Sequence, residues 1–288
     1  MNGEQNQLAQ SIEKRIVKAY PELPKNQKKI ADYITNAINE AAFLSVVELA
    51  ERCGVSKATV VRFTRSVGFN GFIDFKNALQ TAVHQKYTYM DKLPEVVASD
   101  KDTLYKVARQ DVENINQTME AIKLVDFEQI IEKIKKSGTV YTYGAGISAL
   151  MARILAYSLS QVSVKSECAV SDHLTFEEML MYVNKNDLLI TFSFPPYSKS
   201  TIQAAQLAHE KGISVVALTD DSKSPINKYA DNRLLIKSEN LLFTNSFAAI
   251  SVVINALTTE LSVRDKKTTL EFINHVNQLM NRSGHFEL

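Results

Sequence analysis

Residues 139–148 read T-V-Y-T-Y-G-A-G-I-S, a run of strand formers set directly before two glycines and a serine. Val140, Tyr141 and Tyr143 favour a strand, with Thr139 and Thr142 between them. The glycine-free, largely apolar run 149–159 that follows reads as a helix. A strand, a tight glycine turn and a helix N-terminus together make an anion site. Gly144 and Gly146 let the backbone turn and come close to a ligand, and the free amides and positive dipole end of the helix face it. Ser148 adds a hydroxyl donor. Taken alone, G-x-G-x-S also describes an ordinary strand-to-helix turn with a serine cap, so the flanking segments decide.

Downstream, strands alternate with helices. Strands are expected at 139–143, 162–167, 187–193, 214–218 and 233–236, and helices at 149–159, 175–182, 201–210 and 245–261. This alternation predicts an α/β domain with a parallel sheet and right-handed crossovers. Ligands of such sheets sit beyond the carboxyl ends of the strands, which singles out the loops after Tyr143, Glu167, Phe192 and Leu218. The third of these, T-F-S-F-P-P-Y-S-K-S-T over 191–201, puts several hydroxyls at another helix N-terminus, facing the glycine turn across the sheet. Two hydroxyl-rich turns at adjacent strand ends suit a phosphate dianion.

The first 90 residues read differently. Ile12, Ile16, Val17 and Tyr20 recur at helical spacing until Pro21 and Pro24 stop them, and 25–38 continues with Ile30, Tyr33, Ile34 and Ile38 on one face. Ser45 caps 46–53, Gly54 supplies a turn, Ser56 caps 57–67 and Gly68 ends it. Two short helices joined by Gly54-Val55-Ser56 have the proportions of a helix-turn-helix. On a helical wheel Val60, Phe63, Thr64 and Val67 fall on one side, and Ala58, Arg62 and Arg65 opposite, flanked by Thr59 and Ser66. The second face carries what a major groove takes: arginines for guanine edges or phosphate and short polar groups for the backbone. Ser56 and Lys57 at the helix start are within reach of phosphate. The expected DNA-contacting set is therefore Ser56, Lys57, Ala58, Thr59, Arg62 and Arg65. Phe69, Phe72 and Phe75 read as core residues sealing the bundle.

The segments N-Q-K-K-I-A (26–31), S-V-V-E-L-A (45–50) and V-S-K-A-T-V-V-R-F-T-R-S-V-G-F-N-G-F-I-D-F-K (55–76) closely resemble the N-terminal helix-turn-helix of the RpiR family of bacterial transcriptional regulators. The likeness runs almost unbroken over about 22–80. In that family the second half is a sugar-isomerase (SIS) domain, flavodoxin-like with a five-stranded, doubly wound parallel sheet, which binds phosphosugars without turning them over. The resemblance extends over about 126–262 and implies that the glycine turn and an S-x-S-G-x-T loop hold the sugar phosphate. Ser148 and Ser193 match that pattern, and Ser198 stands where Thr is usual. Pro195 replaces the second Ser and Pro196 the Gly, so one hydroxyl and one flexible backbone site are missing. The implied ligand set is Gly144, Gly146, Ser148, His173, Ser193, Tyr197, Ser198 and Glu239, with His173 in a loop lying over the sugar. The implied function is a cytoplasmic regulator of a sugar or amino-sugar operon. It would act as a homodimer or tetramer on double-stranded operator DNA, respond to a sugar phosphate or related anionic metabolite, and need no cofactor. A phosphosugar isomerase or lyase is the alternative. It would need a base from among His173, Glu177, Glu178 and Glu239, none of which sits in a catalytic motif.

Composition agrees with two domains. The chain has 288 residues, 45% hydrophobic and 23% charged, with a formal net charge of +1. Residues 1–90 carry 12 Lys and Arg against 8 Asp and Glu, and the remainder 21 against 24, a slightly basic head on a slightly acidic body. No apolar run reaches 18 residues, and the polar start M-N-G-E-Q-N-Q lacks a signal-peptide core, so neither membrane nor secretion is expected. Cys53 and Cys168 read as free thiols, and the five histidines are scattered without metal-ligand spacing. The expected organisation is a DNA-binding domain over 1–85, a linker and connecting helix over 86–125, the SIS domain over 126–263 and a C-terminal helix over 264–288. The connecting helix should carry an apolar stripe of Leu104, Val107, Ala108, Val112, Ile115 and Met119, packed on the body or on a second subunit.

Overall fold

The computed structural model describes residues 12–86, 102–169, 175–242 and 244–283. The chain divides into two compact units, one helical and one built on a sheet. In the helical unit, residues 12–19 form α1, and a short 3-10 turn at Tyr20–Glu22 leads past Pro24 into α2 (Lys25–Asn36) and α3 (Ile38–Ala41). Next come α4 (Val46–Cys53), α5 (Lys57–Ser66) and α6 (Phe72–Lys86). The start of α4 is a reciprocal capping box. The Ser45 hydroxyl accepts from the Glu48 amide at 3.3 Å, and the Glu48 carboxylate accepts from the Ser45 amide at 2.8 Å. Gly54, at φ +61°, ends α4 in the left-handed conformation that a side chain resists. Ser56 then caps α5, accepting from the Thr59 amide at 3.2 Å. Phe63, Phe69 and Phe75 meet edge to face at the centre, with ring centroids 5.6 and 5.3 Å apart. These rings are core, as the sequence predicts, although Phe72 beside them is only half-buried.

The second unit begins with α7 (Thr103–Ala121) and α8 (Leu124–Lys136). Then follow β1 (Val140–Gly144), α9 (Ile147–Ser160), β2 (Ser166–Cys168), the single-turn α10 (Phe176–Met179), β3 (Leu188–Ser193), α11 (Lys199–Glu210), β4 (Ser214–Thr219) and β5 (Asn232–Leu235). Two helices, α12 (Ala248–Arg264) and α13 (Lys266–Ser283), close the described chain. The sheet is wholly parallel in the order β2-β1-β3-β4-β5, the flavodoxin-like doubly wound arrangement. Its central strand β3 is buried along its whole length, which is why 188–193 reads as continuous rather than alternating hydrophobicity. Helices α8, α9 and α12 cover one face in a shared apolar cluster that includes Ile130, Ile131, Leu155 and Val253. Among the described residues no helix is long and apolar enough to cross a membrane.

Three elements differ from the sequence expectation. The edge strand β2 starts only at Ser166, because 161–163 close a turn at the end of α9, with Ser163 at φ +63°. The helix expected over 175–182 shrinks to one turn. A Thr175–Glu178 capping box nucleates it, and the chain then turns toward β3. The third difference is the face that α7 buries. Of the expected stripe, Ile115 packs half-buried on the core and Val107 is half-buried, but Leu104, Ala108, Val112 and Met119 are exposed, whereas Asn114 and Thr118 are fully buried.

Candidate functional site

The connection from β1 leads outward to β2 and that from β3 leads the other way to β4, so the chains leaving these two paired strands part at their carboxyl ends. Gly144 pairs with Phe192 at this switch point, and Ser193 pairs with Thr219 on the far side. The local sequence explains the shape of the first wall. A Cβ placed on Gly144 would lie 2.7 Å from the carbonyl oxygen of Ser148 and 2.8 Å from its Cβ, so only glycine lets the first turn of α9 seat over the strand end. Gly146 plays a different part. Its φ of +59° and ψ of −129° belong to glycine, and a Cβ there would meet no atom within 4 Å. The mouth of the turn is therefore open on the side where the amides of α9 emerge without a side-chain cap. Ser148 sits buried in the first turn.

The second wall is the loop from Ser193 into α11. Ser193 is 2% exposed, and its hydroxyl has no hydrogen-bond partner. Its carbonyl accepts from the Thr219 hydroxyl at 2.6 Å, which pins the strand end. Ser198 occupies the N-cap of α11 without capping it; its hydroxyl pairs instead with that of Ser200 at 2.8 Å. Thr201, in the same first turn, is 1% exposed, and its hydroxyl is likewise unpartnered. A buried hydroxyl left unpaired costs about 1–3 kcal/mol. Two of them lie at and just beyond the carboxyl end of β3, the neighbour of β1, by an uncapped helix start, and they are donors that an acceptor-rich group could take up.

The loop itself is tied down. A cis peptide joins Pro195 to Pro196, and the Asn245 side-chain amide donates to the Pro195 carbonyl at 2.7 Å. The Tyr197 hydroxyl donates to Asp220 at 2.8 Å. Burial pushes the Asp220 carboxyl above its ordinary range, against the opposing pull of the Tyr197 hydrogen bond. Tyr197 thus serves the loop as an anchor, since its hydroxyl is already engaged. The Glu239 side chain is exposed, and its carbonyl accepts from the Asn114 amide at 2.7 Å. His173 lies outside the described residues. Sequence reading missed Thr201 in the second wall and Asn245 as an anchor of the loop, and gave Asp220, in the loop after Leu218, no role at the site. Thr201 stood within the quoted loop, while Asn245 and the role of Asp220 are reached only through the fold.

In the helical unit, α4, Gly54-Val55-Ser56 and α5 form the expected helix-turn-helix. Val60, Phe63, Thr64 and Val67 are buried, and Lys57, Ala58, Arg62 and Arg65 are exposed. Ser56 spends its hydroxyl on the cap and on the Thr59 hydroxyl, 2.9 Å away. Arg62 donates through Nε to the Ala58 carbonyl at 3.3 Å, leaving its terminal amino groups clear. No ion pair among the described residues engages Lys57, Arg62 or Arg65.

Residues 10–86 match the helix-turn-helix domain of the rpiR family, and residues 133–260 match the SIS domain. A protein with this pairing is a transcriptional regulator whose DNA-binding head is joined to a sugar-isomerase-type body. The chain belongs to the RpiR family. An uncharacterized HTH-type transcriptional regulator of Haemophilus influenzae is 28% identical over 221 residues, covering 75% of this chain and 76% of that one. Among solved structures, the sugar isomerase domain of an RpiR transcription factor from Sphaerobacter thermophilus is 28% identical, with a TM-score of 0.60, covering 62% of this chain and 99% of that one. The Vibrio vulnificus NanR protein, solved in complex with ManNAc-6P, shares the fold at 23% identity and a TM-score of 0.67, covering 94% of this chain and 98% of its own.

Proposed function

We propose that this regulator represses a sugar or amino-sugar catabolic operon and that a sugar phosphate, held between the glycine turn and the β3–α11 loop, weakens its grip on the operator. The observation carrying this reading is the pair of buried, unpartnered hydroxyls of Ser193 and Thr201 beside the uncapped start of α11. In this reading the phosphate takes up those hydroxyls, Ser148 and the free amides of both helix starts, and Glu239 and His173 serve the sugar. The ManNAc-6P held by the Vibrio vulnificus neighbour belongs to the same ligand class. The reading of the body as a sensor and not an isomerase is supported by its relatives being named transcriptional regulators.

On the DNA side, α5 enters the major groove with Lys57, Ala58, Thr59, Arg62 and Arg65, and Ser56 holds its start. The protein works in the cytoplasm as a homodimer on a palindromic operator, its two heads reading half-sites whole turns apart. The exposed Leu150, Ile154 and Tyr157, at i, i+4 and i+7 on α9, form an apolar strip suited to a second copy of the sheet domain. The domain boundaries follow the same logic, with the head ending near 85 and the SIS domain running over 126–263 between the connecting and C-terminal helices.

The test is a fluorescence-anisotropy titration on DNA from upstream of the chain's own coding sequence. It is run with and without ManNAc-6P, GlcNAc-6P, glucose 6-phosphate and fructose 6-phosphate, alongside a turnover assay on each. One compound should weaken DNA binding about 5–150-fold, the range of a 1–3 kcal/mol coupling, and none should be converted. Turnover without DNA binding would establish the isomerase or lyase reading instead.

A further inference from the structure

The helix α7 buries the wrong face for a simple packing element. Its apolar residues Leu104, Val112 and Met119 lie on the exposed side, Ile115 packs half-buried on the core of the sheet unit, and the helix turns Asp111, Asn114 and Thr118 toward the residues between β5 and α12. Each of the three makes a hydrogen bond there. The Ser246 hydroxyl donates to Asp111 at 2.5 Å, the Asn114 amide donates to the Glu239 carbonyl at 2.7 Å, and the Lys237 amide donates to the Thr118 hydroxyl at 2.8 Å. The seam continues inward. The Ser246 amide donates to the Ser238 carbonyl at 2.9 Å, and the Ser238 hydroxyl donates to the Asn245 side-chain oxygen at 3.1 Å. The other end of the Asn245 amide donates to the Pro195 carbonyl, in the loop that follows Ser193. An unbroken hydrogen-bonded path therefore joins the β3–α11 loop to α7, the helix that follows the connection from the head in sequence.

We infer that Asn245 is the relay by which occupancy of the β3–α11 loop is felt by α7, so that the polar seam, and not an apolar contact, carries the regulatory signal. The inference rests on the sugar-phosphate reading of the loop. Apolar packing is non-directional and tolerates small slips. A directional seam of polar groups, with Asn114, Thr118, Ser238 and Ser246 buried and Asp111 and Asn245 half-buried, has few satisfied arrangements, so it switches between discrete states. A guest that draws in the Ser193–Ser198 loop moves the Pro195 carbonyl, and Asn245 must follow or lose its bond. Seated between Ser238 and the Pro195 carbonyl, Asn245 can do this only by shifting the segment that α7 grips.

The experiment uses the full chain and Ser238→Ala, which removes the hydroxyl that holds the Asn245 side-chain oxygen, adds no charge and leaves the Asn245 bond to Pro195 in place. Asp111→Ala, at the far end of the seam, is the second variant. Operator affinity is measured by anisotropy with and without ManNAc-6P, GlcNAc-6P, glucose 6-phosphate or fructose 6-phosphate, and the affinity for each compound by calorimetry. Expected for both variants is sugar-phosphate affinity within about threefold of wild type and a ligand effect on operator binding reduced to less than about twofold, where wild type shows at least fivefold. Wild-type coupling in both variants would overturn the relay. So would loss of sugar-phosphate binding by Ser238→Ala, because it would place the seam in the pocket itself. A wild-type chain that binds none of the four compounds would overturn the underlying ligand reading, and the wild-type titration alone reveals that outcome.

Discussion

The carbonyl oxygen of Ser148 stands 2.7 Å from where a Cβ of Gly144 would lie, and the Ser148 carbonyl carbon and Cβ stand at 2.8 Å. The contact is with helix backbone, not with the end of a flexible side chain, so it cannot be relieved by a rotamer. Gly144→Ala must push the first turn of α9 off the strand end. The expected loss is about 1–3 kcal/mol of stability, as for other overpacked sites, together with loss of sugar-phosphate binding. Urea titration and calorimetry check the two effects. An unchanged midpoint would mean that the close approach is not rigid.

Ser56 and Arg62 lie on the same helix but should fail differently. Ser56 accepts from the Thr59 amide, so Ser56→Ala should cost about 1 kcal/mol of stability in the head, the usual price of a lost N-cap. Arg62 is exposed and bonds only back to its own helix through Nε, so Arg62→Ala should leave the thermal midpoint nearly unchanged. If it reads a base, operator affinity should fall by about 1–3 kcal/mol. Thermal melts and anisotropy on the same two variants separate the roles. Operator affinity unchanged in Arg62→Ala would remove it from the interface.

Much of this was legible in advance because it is local. Serine and glycine at 45, 54, 56 and 68 mark helix ends by their own backbone chemistry, and each stands at such an end. The capping box was legible too, since S-V-V-E carries the S-x-x-E pattern, although only its serine was read as a cap. The strands flanking the switch point announced themselves by apolar runs ahead of glycine or serine. What could not be read was which partner covers a face. Periodicity shows that α7 has an apolar stripe, and says nothing of what lies against it. Asn114 and Thr118 are buried because main-chain groups at Glu239 and Lys237 meet them, a pairing across more than a hundred residues. Asp220 stands in the loop after Leu218 that the sequence singles out, but its partner Tyr197 comes from a different strand end and is reached only through the fold.

Ser193 offers a test in which fold and function move apart. Its hydroxyl is buried with no hydrogen-bond partner, so removing it also removes a desolvation cost. Ser193→Ala should therefore leave stability unchanged or raise it by up to about 1 kcal/mol, while the rise in melting temperature produced by a sugar phosphate disappears. Thr201→Val should behave alike. Differential scanning fluorimetry with and without the four sugar phosphates reads both quantities. A clear loss of stability in the unliganded variant would show that the hydroxyl supports the fold, and would remove the main reason for placing a guest there.

The Tyr197–Asp220 pair makes a prediction about pH. Burial raises the Asp220 carboxyl above the ordinary 3.8, and the Tyr197 hydrogen bond partly offsets that rise. A folded value above the unfolded one means that the native state holds the proton more tightly, so this group favours folding most when protonated. As pH climbs from about 4 through the raised value, the wild-type chain should lose stability relative to Asp220→Asn, and the gap should then stay constant to neutrality. Tyr197→Phe removes the donor that serves the ionised form, so it should move the Asp220 transition to higher pH. It should also cost about 1.5–3 kcal/mol at neutral pH, a hydrogen bond to a charged group, and less below pH 4, where the carboxyl is neutral. Urea midpoints of the three proteins from pH 3.5 to 8 check the sign. A wild-type curve that gains on Asp220→Asn with rising pH would mean that the hydrogen bonds outweigh burial, and that Asp220 sits in the loop as an ordinary stabilised carboxylate.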